Sequence, residues 1–166
     1  TKPILYVCNV AESDAATGNS YSQKVADMAA TQQAGHVIVS AAIEAEISQL
    51  DASDKGEFLA ELGLEEAGLT RLIRAGYGLL DLLTFFTVGP KEARAWTVAN
   101  GATAPQAAGV IHTDFQRGFI RAETISYHDY TAYKGETGAK DAGKLRVEGA
   151  EYKVADGDVF HFRFNV

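Results

Sequence analysis

The chain lacks the features that several common classes of protein require. A single cysteine, Cys8, excludes an internal disulfide and suits a reducing compartment. Cys8 itself reads as a small buried hydrophobe in a strand. No apolar run approaches the ~18–20 residues of a membrane span, so no membrane partner is expected. The opening TKPILYVCNV has one Lys and then meets Asn, Glu and Asp, which is not a signal peptide. Positive charge is scarce. Fifteen Lys and Arg against 22 Asp and Glu leave a net charge of −7, which argues against bulk binding to nucleic acid and against DNA as a partner. There is no glycine loop followed by Lys-Ser/Thr, no Ser–His–Asp set and no cysteine cluster. Whatever the chain binds, it holds no phosphate end and no catalytic residue of its own. Internal repeats and low-complexity tracts are also absent.

What is present is an ordinary globular composition. The 166 residues are 46% apolar and 22% charged, enough for one good core or two small ones. The acidic load is uneven. Residues 1–80 carry five Lys and Arg against eleven Asp and Glu, while residues 81–166 carry ten against eleven. A basic patch is therefore compatible with the second half. The chain starts without Met on a strand-like run, and the first 80 residues offer that strand few neighbours. A fragment of a longer protein is expected.

Ile4 to Cys8 is apolar without alternation, the pattern of a strand buried on both faces of a parallel sheet. It ends in Asn9-Val10-Ala11-Glu12, where ligands bind in open α/β sheets. Asn19 or Ser20 caps a helix over Tyr21 to Gln33, with Val25, Met28 and Ala29 inward and Gly35 as its stop. His36 to Val39 is a second buried strand, ending in Ser40-Ala41-Ala42. Helices follow over Ile43 to Leu50, around Phe58 to Leu62 with Gly63 as the close, and from Gly68 to Leu82.

A second region begins there. Leu83 to Val88 and Ala93 to Val98 form a hairpin around Gly89-Pro90-Lys91-Glu92. Thr103 caps a helix with Pro105 in its first turn, and Ala107, Ala108, Ile111 and Phe115 repeat at helical spacing. Phe119 to Ser126 is a strand and His128 to Tyr133 a short helical or irregular piece. Lys134 to Gly149 reads as a loop. Tyr152 to Val154 and Val159 to Phe164 close the region, with Phe160, Phe162 and Phe164 on one face. Hairpin, helix and further strands describe a β-grasp, ubiquitin-like roll.

Two groups of residues carry candidate chemistry. Asn9 and Glu12 follow a strand, and an Asn amide offers a donor and an acceptor to a purine edge. Ser40, Ala41 and Ala42 end the neighbouring strand and can close over the same base. Lys134, Lys140, Lys144 and Arg146 form a basic stretch just after Tyr127, Tyr130 and Tyr133, a combination that stacks on and pairs with RNA. His112-Thr113-Asp114 has poor metal-ligand geometry and reads as structural. His36, His128 and His161 carry no ligand spacing.

Several long stretches come in an order that resembles one family. They are NVAE after KPILYV, SAAIEAEI, GLTRLIRAGYGLLDL, GATAPQAAGVIHTDFQRGFIRAE, YKGETGAKDAGKLRVEG and DGDVFHFRFNV. Together they resemble the YchF branch, the Obg-like ATPases, of the Obg-related P-loop GTPases. The resemblance implies an α/β part followed by an α+β part. Residues 1–81 would be the carboxyl-terminal portion of a P-loop nucleotide-binding domain. Residues 82–166 would be a β-grasp TGS domain. It implies base recognition at Asn9, Val10 and Glu12, and more loosely at Ser40, Ala41 and Ala42. Most P-loop GTPases have Asn-Lys-x-Asp at this place. The missing Lys and the longer Glu12 weaken guanine reading, in keeping with the ATP preference of this branch. The cofactor implied for the full-length protein is ATP or GTP with magnesium, with none binding tightly to this fragment. A cytoplasmic location and a ribosome or ribosomal RNA partner are implied as well. The other reading is a stand-alone RNA- or protein-binding module without catalysis.

Overall fold

The structure, a computed structural model, describes residues 2–165. The chain divides between Leu80 and Asp81 into two compact units.

In the first unit, β1 (Leu5–Asn9) and β2 (Gly35–Val39) pair in parallel, with Asn9 opposite Val39. The helix α1 (Ser20–Thr31) connects them. Asn19 fixes its start, because its Oδ1 accepts from the N–H groups of Tyr21 and Ser22 at 3.0 and 3.1 Å. The same side chain donates to Asp14 at 2.8 Å. Gln33, at φ 54°, ends the helix rather than Gly35, and Ala34 N–H closes back on Ala29 O at 2.9 Å. Met28, expected inward, is 39% exposed, while Ala29 is buried.

The unalternating run before Asn9 does form a strand, but not one covered on both faces. Ile4 and Val7 are about half exposed and Cys8 is half-buried. The sheet of this unit has two strands among the described residues, so β1 has a hydrogen-bonded neighbour on one side only.

Three helices follow: α2 (Ala41–Ile47), α3 (Lys55–Glu61) and α4 (Gly68–Leu79). Ile43, Ile47, Leu64 and Ala15 form a small core with Phe58, Leu59 and Leu62 against it. The start of α4 is capped from a distance. The Glu44 carboxylate accepts from Gly68 and Leu69 N–H at 2.7 and 3.2 Å. Such a charged cap satisfies orphan donors and complements the helix dipole. Residue 68 must be small, since a Cβ there would stand 2.9 Å from Glu44 Oε1 and 3.2 Å from Val39.

The second unit has a five-stranded mixed sheet. The strands β3 (Leu82–Val88) and β4 (Ala93–Ala99) form the expected hairpin. The helices α5 (Ala104–Ile111) and α6 (Thr113–Arg117) lead to β5 (Phe119–Ser126), then come α7 (Tyr127–Ala132), α8 (Glu136–Asp141), β6 (Arg146–Glu148) and β7 (Asp158–Phe164). The sheet order is β4-β3-β7-β5-β6, with β7 parallel to β3 and antiparallel to β5. Phe85, Phe160, Phe162, Ala104, Ala107 and Ala108 form the core between sheet and α5. Phe160 and Phe162 are buried while His161 and Arg163 between them are exposed, as the alternation in the sequence requires.

Two expectations are corrected here. The helix predicted through Phe115 breaks at His112, whose backbone is extended at φ −159° and ψ 140°. His112 Nδ1 accepts from Asp114 N–H at 3.2 Å and so starts α6. After the break the Phe115 ring stacks on Phe164 with centroids 3.8 Å apart. The stretch Lys134 to Gly149, read as loop, contains α8 and the edge strand β6. The residue joining α6 to β5 is Gly118, whose carbonyl accepts from Asn165 N–H at 2.9 Å; any Cβ there would run into the Asn165 backbone. Among the described residues no helix is long and apolar enough to cross a membrane.

Candidate nucleotide-base site

Parallel pairing of β1 and β2 brings the two strand ends together. Val10 N–H extends the ladder to Val39 O at 2.9 Å, so Asn9 and Ser40 leave the sheet side by side. Asn9 Oδ1 accepts from Ala41 N–H at 3.0 Å, across 32 residues of sequence. A backbone N–H can only face the oxygen, so this bond fixes the orientation of the amide. The sequence suggests that Asn9 offers both a donor and an acceptor to a base. In the structure one oxygen lone pair is already bonded, and the two hydrogens of Nδ2 are the stronger offer.

Asn9, Ala41 and Ala42 are exposed, and Val10 is half-buried. Glu12 is exposed and opens a 3-10 turn over Glu12–Asp14. Ser40 is 2% exposed, and its Oγ has no hydrogen-bond partner among the described residues. A buried hydroxyl without a partner is uncommon. An open groove of about 420 Å³ runs along β1 and is lined by Asn9, Val10, Asn19 and Tyr21 among others, a volume within the range of ligand clefts.

The basic residues of the second unit separate into two kinds. Lys134 and Lys140 are exposed, Lys134 at φ 58° in the turn between α7 and α8. Lys144 lies 3.9 Å from Asp129. Arg146 is engaged in a network. Its guanidinium meets Glu148 at 3.2 Å and buried Asp158 at 3.3 Å, and it donates to Tyr152 Oη at 3.1 Å. Asp158 also accepts from Tyr152 O–H and Ala155 N–H, both at 2.9 Å. Burial, and then the bond to Asp158, push the Tyr152 phenol up to about 12.

The fold also assembles a cluster that sequence spacing hides. Glu123, Glu136 and His161 place ligand atoms within 4.8 Å of one another. Glu123 and His161 are opposite in the β5–β7 register, which only the pairing reveals. Arg163 already donates to both Glu123 oxygens at 3.3 and 3.0 Å, and Arg121 is 3.7 Å away. The hydrogen bond from Arg163 holds the Glu123 carboxyl below its ordinary value against the opposing effect of burial. Guanidinium groups thus stand where a metal ion would, and the cluster reads as an ion-pair network.

Comparison with known proteins agrees with the resemblance in the sequence. The family model YchF-GTPase_C, described as "Protein of unknown function (DUF933)", matches residues 82–165. A Haemophilus influenzae protein named ribosome-binding ATPase YchF is 59% identical over 165 residues, covering 99% of this chain and 45% of that protein. The Bacillus subtilis protein of the same name is 54% identical over 168 residues, covering 100% of this chain and 46% of the relative. The chain thus spans about half the length of the curated relatives it matches. Among solved structures, the YchF GTPase of Schizosaccharomyces pombe superposes with a TM-score of 0.78 at 34% identity, over 97% of this chain and 43% of that one. A GTP-binding protein of Pyrococcus horikoshii shares the fold at 18% identity, with a TM-score of 0.64 over 98% of this chain and 46% of that one.

Proposed function

Since this chain belongs to the YchF family, we propose that it is the carboxyl-terminal part of a ribosome-associated protein that binds and hydrolyses a purine nucleotide, with ATP preferred over GTP. In this reading the first unit is the end of a P-loop nucleotide-binding domain and reads the base. The second unit is a TGS domain, and its second-first-fifth-third-fourth strand order is that of a β-grasp. The work takes place in the cytoplasm.

The observation that carries the reading is the bond from Ala41 N–H to Asn9 Oδ1. It ties the two strand ends together and aims Nδ2 outward. A purine N7 accepts such a donor, and adenine and guanine share N7. Asn9 therefore recognises a purine without choosing between the two. The choice falls to Val10 and Glu12. Val10 replaces the Lys stem that covers guanine in Asn-Lys-x-Asp. The Glu12 carboxylate reaches a methylene further than Asp and so misplaces the acceptor for guanine N1 and N2.

The phosphates, magnesium and attacking water belong to the part of the relatives that this chain does not span. Magnesium there would neutralise charge on the γ-phosphate during attack by water, with positioning supplying most of the catalysis. The 166-residue chain by itself is expected to hydrolyse nothing. The test uses the longer protein containing this chain. Asn9→Ala should raise KM for ATP about tenfold or more with little change in kcat, as expected for a contact made equally in ground and transition states. Val10→Lys combined with Glu12→Asp should move the preference toward GTP. An unchanged KM in the first variant together with an unchanged ATP/GTP ratio in the second would refute the base site.

A further inference from the structure

The second unit carries a chemically reactive pair that nucleotide recognition does not use. Of the four asparagines in the chain, Asn100 is the one followed by glycine; Asn9 and Asn165 precede valine and Asn19 precedes serine. Glycine has no side chain to shield its backbone nitrogen, so this nitrogen can reach the amide carbon of the residue before it. Asn100 and Gly101 are both exposed, in the turn that joins β4 to α5. The turn is closed by Ala102 N–H on Ala99 O at 3.1 Å, with Gly101 at φ 80°. Among the described residues the Gly101 N–H has no hydrogen-bond partner.

What restrains the pair is Asp81. Asn100 lies one step past the Leu82–Ala99 pair of the β3–β4 ladder, and its backbone N–H donates to Asp81 O at 2.8 Å. Its side-chain Nδ2 donates to Asp81 Oδ1 at 3.0 Å. A carboxylate only accepts, so this bond fixes which end of the amide faces Asp81. Nδ2 is the atom that leaves when the side chain closes on the backbone, and Cγ must swing onto the Gly101 nitrogen. Both movements break the bond to Asp81. The same unit holds a contrasting pair. Asp156-Gly157 is the one Asp-Gly of the chain and could close the same ring. There the Gly157 N–H donates to Thr84 O at 2.8 Å, and Asp156 Oδ1 accepts from Thr84 N–H at 2.8 Å. Nucleophile and electrophile are both tied to β3.

We propose that Asn100 is a site of spontaneous deamidation and isomerisation, with Asp81 as the positioning residue that slows it. The Gly101 nitrogen attacks Asn100 Cγ. The N–Cγ bond forms, the Cγ–Nδ2 bond breaks, and ammonia leaves with the proton of the Gly101 N–H. Water then opens the succinimide at either carbonyl and gives aspartate or isoaspartate. The new carboxylate stands against Asp81 where the amide donated, so an attraction becomes a repulsion. Isoaspartate also lengthens the backbone by one atom, just ahead of buried Ala102 and of Thr103, the N-cap of α5. The inference goes beyond the nucleotide reading and does not depend on it.

The experiment ages the folded 166-residue chain in mildly alkaline buffer beside a urea-unfolded sample, and reads tryptic peptides by chromatography and mass spectrometry. The peptide over residues 95–117 should gain the mass difference between an amide and an acid and split into aspartyl and isoaspartyl forms. The peptide containing Asp156 should isomerise in the unfolded sample and not in the folded one. Asp81→Gly suits the φ of 51° at that position and removes the carboxylate. It should speed conversion at Asn100 about threefold to tenfold, the scale of one hydrogen bond to an exposed acceptor. Asp81→Asn keeps an acceptor without the charge, so its rate should fall between, and it carries the test if Asp81→Gly does not fold. Trp96 fluorescence during urea unfolding confirms that each variant is folded, and the midpoint of the wild-type chain should fall as Asn100 converts. A folded wild-type chain that keeps Asn100 intact while the unfolded sample converts overturns the proposal. So do equal rates in the wild type and the folded Asp81 variants, and so does isomerisation of Asp156 at the same rate folded and unfolded.

Discussion

Asp158 gives the sharpest test of how the second unit is held together. Its side chain is 3% exposed, and both oxygens are occupied. One accepts from Tyr152 O–H and Ala155 N–H, the other faces Arg146 at 3.3 Å. Asp158→Ala strands two donors in or near the core and leaves a guanidinium without its buried partner. Each lost hydrogen bond to a charged acceptor is worth about 1.5 kcal/mol. The half-exposed Arg146 pair adds about 0.5 kcal/mol after solvent screening. The sum is about 3.5 kcal/mol, inside the range of about 3–5 kcal/mol for breaking a buried pair from one side. Asp158→Asn is the informative comparison. Its oxygen can keep Tyr152 and Ala155, while its amide faces Arg146, so the loss should be about 1 kcal/mol. In an Arg146→Ala background even that loss should nearly vanish. The assay is urea unfolding followed by Trp96 fluorescence. Trp96 is the only tryptophan and lies in this unit, so its signal isolates the relevant transition. Equal midpoints for Asp158→Ala and Asp158→Asn would refute the reasoning, because the network would then not depend on which oxygen is lost. The network also governs how the basic stretch should be probed. Reversing Arg146 to Glu would set a carboxylate against Asp158 and Glu148 and disturb the network itself, so the exposed Lys134 and Lys140 give the cleaner charge reversals.

Two further outcomes follow from the same unit. Gly118→Ala drives a Cβ into the Asn165 backbone, which cannot rotate away, so the Trp96 unfolding midpoint should fall by the equivalent of about 2–3 kcal/mol; an unchanged midpoint would show that the β5–β7 end relaxes freely. Tyr152 is raised from 10.0 to about 12, so the folded chain holds that proton more tightly than the unfolded chain. Its contribution to stability is complete below pH 10.0 and is lost progressively as pH rises through 12. Ultraviolet titration should show a tyrosine ionising well above pH 10.0, and Asp158→Asn should bring that step earlier.

Much of this architecture was legible in the residues. The strand from Phe119 to Ser126 is read to the residue, because Gly118 and Tyr127 bracket a clear pleated run. The alternation of Phe160 and Phe162 with His161 and Arg163 gives the inner face of β7. The break at His112 was not legible. Apolar spacing continues undisturbed from Ala107 to Phe115, and an imidazole acting as a helix cap has no signature like that of Ser or Asp. The helix over Glu136–Asp141 escaped because six residues with one buried position, Ala139, show no period. At the candidate base site, the juxtaposition of Asn9 with Ser40 to Ala42 followed from two strands ending alike. The orientation of the Asn9 amide did not, since it depends on where one backbone N–H points. The depth of β1 was overestimated for a simple reason: an apolar run reports what a strand can bury, not which neighbours it has.

The placement of β7 also has a consequence for how the second unit is made. Of its strands, β7 is the last to be synthesised, yet it lies at the centre of the sheet, between β3 and β5. Until it leaves the ribosome, the β3–β4 hairpin and the β5–β6 pair have no shared edge, and the aromatic core lacks Phe160 and Phe162. The unit therefore cannot fold progressively from its amino end. It must wait with two partial sheets exposed and then close in one step around the final strand, so its assembly is timed by the emergence of β7.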